Sequence, residues 1–353
     1  MPGTEPVVLD ERDAAILDRL QLHMPLVERP FSVIAGELRL DEGEVLARTR
    51  SLKERKLIRQ MSAIFDAGGL GYRSSLVAAK CDPDRIAEAA AVISSYPGVS
   101  HNYRRNHDFN LWYTIAVPPD RDLEGTAQLL HELSGAQSTR LMPTLRRFKL
   151  GVRLAMSEQS ADAGGGDDDP SVYGPTPGAA SLTERQIGAV RALQEDMPVT
   201  EEPFADSARR EGFQSAAELL AVGQELKDRG VMRRFAAILR HREAGFSANG
   251  MAVWKADEAD CERLGGMMAR FPEVTHCYQR RTYSDWPYSL FTMVHGRSTE
   301  DVEGCIAAIS EATGLRDYRI LYSTVEYKKR RVRYFTDEWK EWECQYQASR
   351  TAR

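Results

Sequence analysis

Apolar residues recur at helical spacing near the start of the chain: Ile16, Leu17, Leu20 and Met24 line one face, and Asp10 or Asp13 stands where a helix cap belongs. Val33, Ile34 and Leu38 share a second helix, Leu40-Asp41 makes a turn, and Val45, Leu46, Arg48 and Leu52 share a third that ends near Lys56. Ile58 to Phe65 then alternates as a strand does and supplies a wing, so residues 1–66 read as a winged helix-turn-helix. A strand (Ser74 to Cys81), a helix (Pro83 to Ser95), two strands (Val99 to Arg105 and Phe109 to Val117), a helix (Arg121 to Leu133) and a strand (Arg140 to Phe148) follow. They spell βαββαβ over residues 67–154, the order of a ferredoxin-like antiparallel sheet with helices on one face.

The whole pattern then starts again. Leu182 to Phe204 matches Leu9 to Phe31, and LKDRGVMRRFAAIL (Leu226 to Leu239) matches LKERKLIRQMSAIF (Leu52 to Phe65). Strands near Ala248 to Lys255, Val274 to Arg281, Tyr288 to His295 and Tyr318 to Tyr327 repeat the sheet. Residues 155–181, rich in glycine, proline and acids without an apolar period, read as a flexible linker. The second winged helix-turn-helix spans 182–240, the second ferredoxin-like domain 241–334, and TDEWKEWECQYQ opens a helical C-terminal tail at 335–353. The fold class is α+β, a tandem duplication of winged helix-turn-helix plus ferredoxin-like modules.

Composition narrows the function classes. The chain has 353 residues, enough for about two ordinary domains, with 42% hydrophobic and 28% charged residues and no apolar run approaching the ~20 residues of a membrane span. Residues 1–13 show no signal-peptide core, so a cytoplasmic location without membrane association is expected. Five cysteines (Cys81, Cys261, Cys277, Cys305, Cys344) include no Cys-x-x-Cys pair and read as free thiols. A net charge of −5 argues against general affinity for nucleic acid. The helices that would enter a DNA groove agree: the first opens on Asp41, Glu42 and Glu44 before Arg48, Arg50 and Lys53, and the second, Gln214 to Asp228, has no cation before Lys227.

The two halves differ most where polar chemistry concentrates. HNYRRNHDFNLWYT (His101 to Thr114) places His101 and His107 on either side of Arg104 and Arg105, with Tyr103 and Trp112 alongside. Neighbouring positive charge lowers an imidazole pKa and leaves it able to exchange protons with a bound anion. The counterpart HCYQRRTYSDWPYSLFT (His276 to Thr292) keeps His276, Tyr278, Arg280 and Arg281, replaces the second imidazole by Thr282-Tyr283, and inserts Asp285-Trp286-Pro287 before Tyr288. One hairpin thus offers a second proton carrier and the other an aromatic wall. The last strand of each sheet carries cations: Arg146, Arg147, Lys149 and Arg153 in the first, Lys328, Lys329, Arg330, Arg331 and Arg333 in the second. Edge protection accounts for such runs; in an acidic chain they also suit a small, multiply charged anion. His23, His131, His241 and His295 lack partners at ligand spacing and read as structural or surface residues.

The opening LDERDAAILDRLQ with VLARTRSLKERKLI resembles the leucine-responsive regulator (Lrp/AsnC) family over each half. Such regulators dimerise through their sheets, so the resemblance implies a pseudo-dimer within one chain and leaves further homo-oligomers open. HNYRRNHDFNLW paired with HCYQRR and DWPYSLFTMVHG is more specific and resembles the siroheme decarboxylases, as their two subunits joined head to tail. That resemblance implies a lyase with no cofactor of its own that removes two acetate carboxyls of siroheme as CO2, giving 12,18-didecarboxysiroheme for haem d1 or alternative haem synthesis. It implies proton transfer or substrate contact by His101, His107 and His276, with the substrate iron within reach of His101 or His276. Tyr103, Arg104, Arg105, Trp112, Arg146, Arg147, Lys149, Tyr278, Arg280, Arg281, Tyr283, Trp286, Tyr288, Lys328, Lys329 and Arg331 would hold the macrocycle and its carboxylates. The alternative from the residues is an Lrp/AsnC-type transcriptional regulator or a tetrapyrrole sensor.

Overall fold

A computed structural model describes residues 9–150, 181–239 and 248–351. Along the chain run α1 (Glu11–Leu22), α2 (Pro30–Leu38), α3 (Glu42–Glu54), β1 (Ile58–Phe65), β2 (Arg73–Lys80), α4 (Ile86–Ser95), β3 (Val99–Arg105), β4 (Leu111–Val117), α5 (Leu123–Ser134), β5 (Ser138–Met142) and β6 (Thr144–Leu150). The series recurs as α6 (Glu184–Leu193), α7 (Ala205–Arg210), α8 (Ala216–Asp228), β7 (Met232–Leu239), β8 (Ala248–Trp254), α9 (Cys261–Met268), β9 (Val274–Arg280), β10 (Leu290–Gly296), α10 (Thr299–Thr313), β11 (Tyr318–Leu321), β12 (Ser323–Lys329) and α11 (Glu338–Thr351). All but the last residue of the expected linker, together with Arg153 and His241, lie outside the described residues. The chain divides into two compact units, Met1–Asp66 with Ser181–Arg242 and Ala67–Ala180 with Glu243–Arg353, so each unit draws on both halves of the sequence.

In the first unit Asp10, not Asp13, caps α1 by accepting from the Asp13 amide at 2.7 Å. Asp13 is buried and takes Arg48 and Arg55 at 2.9 and 3.0 Å. The core stripe of α1 is as expected, but Val33 on α2 is exposed while Ile34 is buried. β1 does not turn back into a wing of its own. It runs antiparallel to β7, with Met61 opposite Ala237, so the corresponding strands of the two halves close a shared ribbon. The cations of α3 are engaged inside the unit: Arg48 with Asp10, Asp13 and Glu44, Arg50 with the Val199 carbonyl, and Lys53 with Asp196.

The second unit holds two antiparallel sheets, ordered β11-β8-β10-β9-β6 and β12-β3-β4-β2-β5. Here the expected single last strand of each half proves to be two. Each half breaks its last strand, keeps the first piece (β5 or β11) and lends the second (β6 or β12) to the edge of the other half's sheet. The break has a local cause in each case. Pro143 has no N–H to extend the ladder, and at the matching place the Tyr322 amide leaves it to donate to Asn106 Oδ1 at 2.7 Å.

Helices α4 and α5 cover one sheet around Ile86, Ile93, Leu111, Tyr113 and Leu130, with Trp342 of α11 added, and α9 and α10 cover the other around Leu264, Leu290 and Ile306. The opposite sheet faces meet in a third apolar cluster that includes Trp112, Met142, Met251, Trp286, Phe291 and Leu321. Because side chains alternate along a strand, every second residue of β3 and β9 points toward that shared layer.

Candidate functional site

Two stripes of like composition arise from this alternation. His101, Tyr103 and Arg105 follow one another at every second position of β3, and His276, Tyr278 and Arg280 do the same on β9. The rings of His101 and Tyr103 lie 6.1 Å apart, those of His276 and Tyr278 6.0 Å apart, and the Arg105 and Arg280 guanidiniums sit 5.9 and 4.9 Å from the respective tyrosine rings. The stripes differ in cover at their tyrosines: His101, Tyr103 and His276 are half-buried, whereas Tyr278 is buried. Their edges differ too. Glu326 of β12 pairs with Tyr103, while Arg147 of β6 pairs with Tyr278.

The imidazoles have distinct surroundings. Nδ1 of His101 lies 3.0 Å from the buried Ser100 hydroxyl, which also bonds Thr114, and Nδ1 of His276 lies 2.8 Å from the Thr275 hydroxyl. Nδ1 of His107 instead accepts the Phe109 backbone N–H at 3.0 Å. A backbone N–H can only donate, so this bond exists only while Nδ1 is unprotonated and the ring's proton is on Nε2. Burial also holds the His107 pKa below its ordinary value, with Arg319 and Lys80 adding to the effect against Asp108. With Nδ1 accepting the Phe109 N–H, the neutral ring of His107 presents its N–H at Nε2. His295, set aside as structural from sequence, lies on the His276 face two residues beyond Met293, the cross-strand partner of His276. Burial and then the charge of His276 push its pKa down to about 4.

The hairpin tips interlock. Trp286 is fully buried, with its ring 5.2 Å from His107, 5.7 Å from Phe109, 5.1 Å from Trp112 and 5.2 Å from Tyr288, all edge-on. Its Nε1–H finds no acceptor among the described residues. The Tyr283 hydroxyl donates to the Leu141 carbonyl and braces the tip against β5, so Trp112, Tyr283, Trp286 and Tyr288 form a packed wall rather than an open aromatic surface.

Several expected carboxylate holders are already committed. Arg105 is buried, its Nη1 donating to the Leu321 carbonyl at 2.8 Å, and Arg280 does the same to Met142 at 2.6 Å, so each arginine braces the strand break of the other half. Burial lowers the Arg105 pKa to about 10. Lys149 donates to Phe271 O at 2.7 Å and Lys328 to Ser94 O and Tyr96 O at 2.6 and 3.1 Å, which satisfies carbonyls at the ends of α9 and α4. Burial, then Arg330, brings Lys328 down to about 8. Arg146 pairs with Glu262 at 2.5 Å. Lys329 lies opposite His101 and is exposed, and Arg331 is half-buried just past β12. Arg104, Arg147 and Arg281 have no acidic partner among the described residues, although Arg281 lies 5.6 Å from the Tyr283 ring.

Ser100, Thr114, Thr275 and His295 were missed from sequence. The signal for two of them was in plain view, because a hydroxyl residue directly precedes each stripe histidine. No group of three or more His, Cys, Asp or Glu able to hold a metal occurs among the described residues, and no helix there is long and apolar enough to cross a membrane.

Comparison with known proteins adds to this geometry. Residues 69–149 and 243–328 match the AsnC-like ligand binding domain, and residues 13–59 and 186–233 match the siroheme decarboxylase NirDL-like HTH domain. The chain is 40% identical over 328 residues to a siroheme decarboxylase of Hydrogenobacter thermophilus, covering 93% of this chain and 96% of that one. It is 43% identical over 152 residues to the siroheme decarboxylase beta subunit of Methanosarcina barkeri, which covers 43% of this chain and 99% of that subunit. The crystal structure of siroheme decarboxylase NirDL in co-complex with an iron-uroporphyrin III analogue is similar with a TM-score of 0.76 at 36% identity, covering 95% of this chain and 98% of the other.

Proposed function

The chain belongs to the siroheme decarboxylase family, and we propose that it is a carboxy-lyase that removes two acetate carboxyls of siroheme as CO2, leaving methyl groups in 12,18-didecarboxysiroheme. The observation that carries this reading is the His101–Tyr103–Arg105 stripe, half-open and set beside the His107–Trp286 contact, on a scaffold similar over its length to one crystallised with an iron-uroporphyrin III analogue. Each step converts a –CH2–CO2⁻ group and one proton into –CH3 and CO2. The C–C bond breaks, its electron pair passes into the macrocycle, and the exocyclic carbon receives the proton. The reading needs no resident cofactor, because the iron arrives within the substrate.

The residues divide these tasks. His101 supplies the proton through Nε2, a transfer that imidazoles commonly perform. His107 Nε2–H is a donor for a carboxylate or ring-edge acceptor. Arg104, Arg147 and Arg281 remain for carboxylates at the rim, where a guanidinium fork matches a carboxylate. The regulator alternative would ask α3 for cations that its own unit already engages. Anaerobic incubation of the purified chain with siroheme, followed by mass measurement, tests the reading: two successive losses of CO2 support it, and unchanged siroheme contradicts it.

A further inference from the structure

We propose that Ser100 is a positioning residue that allows His101, and not His107, to cycle a proton in each decarboxylation; the inference rests on the reading above. Ser100 is 1% exposed, and its hydroxyl meets both His101 Nδ1, at 3.0 Å, and the hydroxyl of Thr114, itself 4% exposed. A hydroxyl donates and accepts with equal ease. While His101 is neutral with its proton on Nε2, Thr114 donates to Ser100 and Ser100 donates to Nδ1. Once His101 is an imidazolium, Nδ1–H donates to Ser100 and Ser100 donates to Thr114. Both contacts persist and only their direction reverses.

His107 has no such freedom, because the Phe109 N–H at 3.0 Å cannot turn into an acceptor. Protonating His107 would break that bond and leave a partly buried amide without its acceptor, a cost His101 avoids. The cycle closes without a further reactant: imidazolium His101 gives its Nε2 proton to the carbon that has lost CO2, which leaves a neutral ring whose Nδ1–H still donates to Ser100, and Nε2 of the half-buried ring is protonated again from solvent. The second half carries the same device in another residue, with Thr275 on His276 Nδ1 at 2.8 Å. Threonine is therefore a built-in substitute for Ser100, whereas alanine is not.

The test uses the full chain with Ser100→Ala, Ser100→Thr, His101→Asn and His107→Asn, measuring anaerobic CO2 release from siroheme and the ring-nitrogen NMR signals of His101 in substrate-free protein. Ser100→Ala is expected to lower kcat roughly ten- to a hundredfold with KM within about twofold, by analogy with loss of an orienting partner. Ser100→Thr is expected to restore kcat. The parent should show a protonated Nδ1 and a bare Nε2 in neutral His101, and Ser100→Ala a mixture of tautomers. His107→Asn, which keeps an N–H donor, should retain far more turnover than His101→Asn. Parent-like kcat and tautomer in Ser100→Ala, or equal losses in the two histidine variants, would overturn the proposal. A parent enzyme that released no CO2 would defeat the decarboxylase reading instead, and the substrate-free signals would still decide the role of Ser100.

Discussion

The two hairpins of the second unit share one pattern and differ in what surrounds it. The first keeps its stripe half-open, backs His101 with two hydroxyls and places His107 at its tip, while the second buries Tyr278, sets His295 beside His276 and spends its insertion on Trp286. The difference shows how a duplicated scaffold diverges without losing its shared core: both copies keep a half-buried histidine beside a hydroxyl, the first adds His107 at its tip, and the second adds the Trp286 wall that this tip packs against. The strand exchange makes the arrangement reciprocal, since Arg105 and Arg280 each brace the break in the other half's chain.

The wall is the most costly part of this contrast to remove. Trp286→Ala deletes a fully buried indole from the layer between the sheets and is expected to cost about 3–5 kcal/mol of stability, read as a shift in denaturant midpoint. A loss well under that range would show that the two tips do not depend on each other. Next is the unequal charge at the stripe edges. Arg147→Ala should raise KM for siroheme by roughly tenfold, the weight of one charged hydrogen bond to a carboxylate, whereas Glu326→Ala should not raise it. Steady-state kinetics that reversed this order would place the carboxylates along the other edge.

The smallest effect is in pH. His295 is held at about 4 in the fold against an ordinary value near 6.5, so its neutral form is the one folding favours. Its contribution to stability is complete above about pH 6.5 and is lost as pH falls toward 4, where the unfolded chain binds a proton that the folded chain refuses. His107, also lowered by burial, acts in the same direction. Thermal melts between pH 7 and 4 should therefore fall less steeply for His295→Gln than for the parent. Parallel curves would mean that His295 titrates normally.

Much of the framework was legible from periodicity, and the reason is local. β3 begins and ends where alternation placed it, and the two helices over the first sheet lie on the stretches expected for them. What could not be read was which strand each strand would find. Pro143 stands in the sequence as a ladder breaker, but the bond from the Tyr322 amide to Asn106 and the crossing of β6 and β12 follow from partners distant in sequence. The same blindness touched the site. Lys149 and Lys328 looked like rim cations because their charge is plain in the sequence, while the helix-end carbonyls that occupy them are not. His295 looked solitary because its neighbour His276 belongs to the adjacent strand.

The central claim is that the halves are chemically unequal and that the first one carries the proton. Single-turnover CO2 release from siroheme by His101→Ala and His276→Ala, measured side by side at equal fold stability, tests it most directly. The account predicts a fall of about a hundredfold or more for His101→Ala and a much smaller one for His276→Ala; equal losses, or a greater loss in the second, would contradict it.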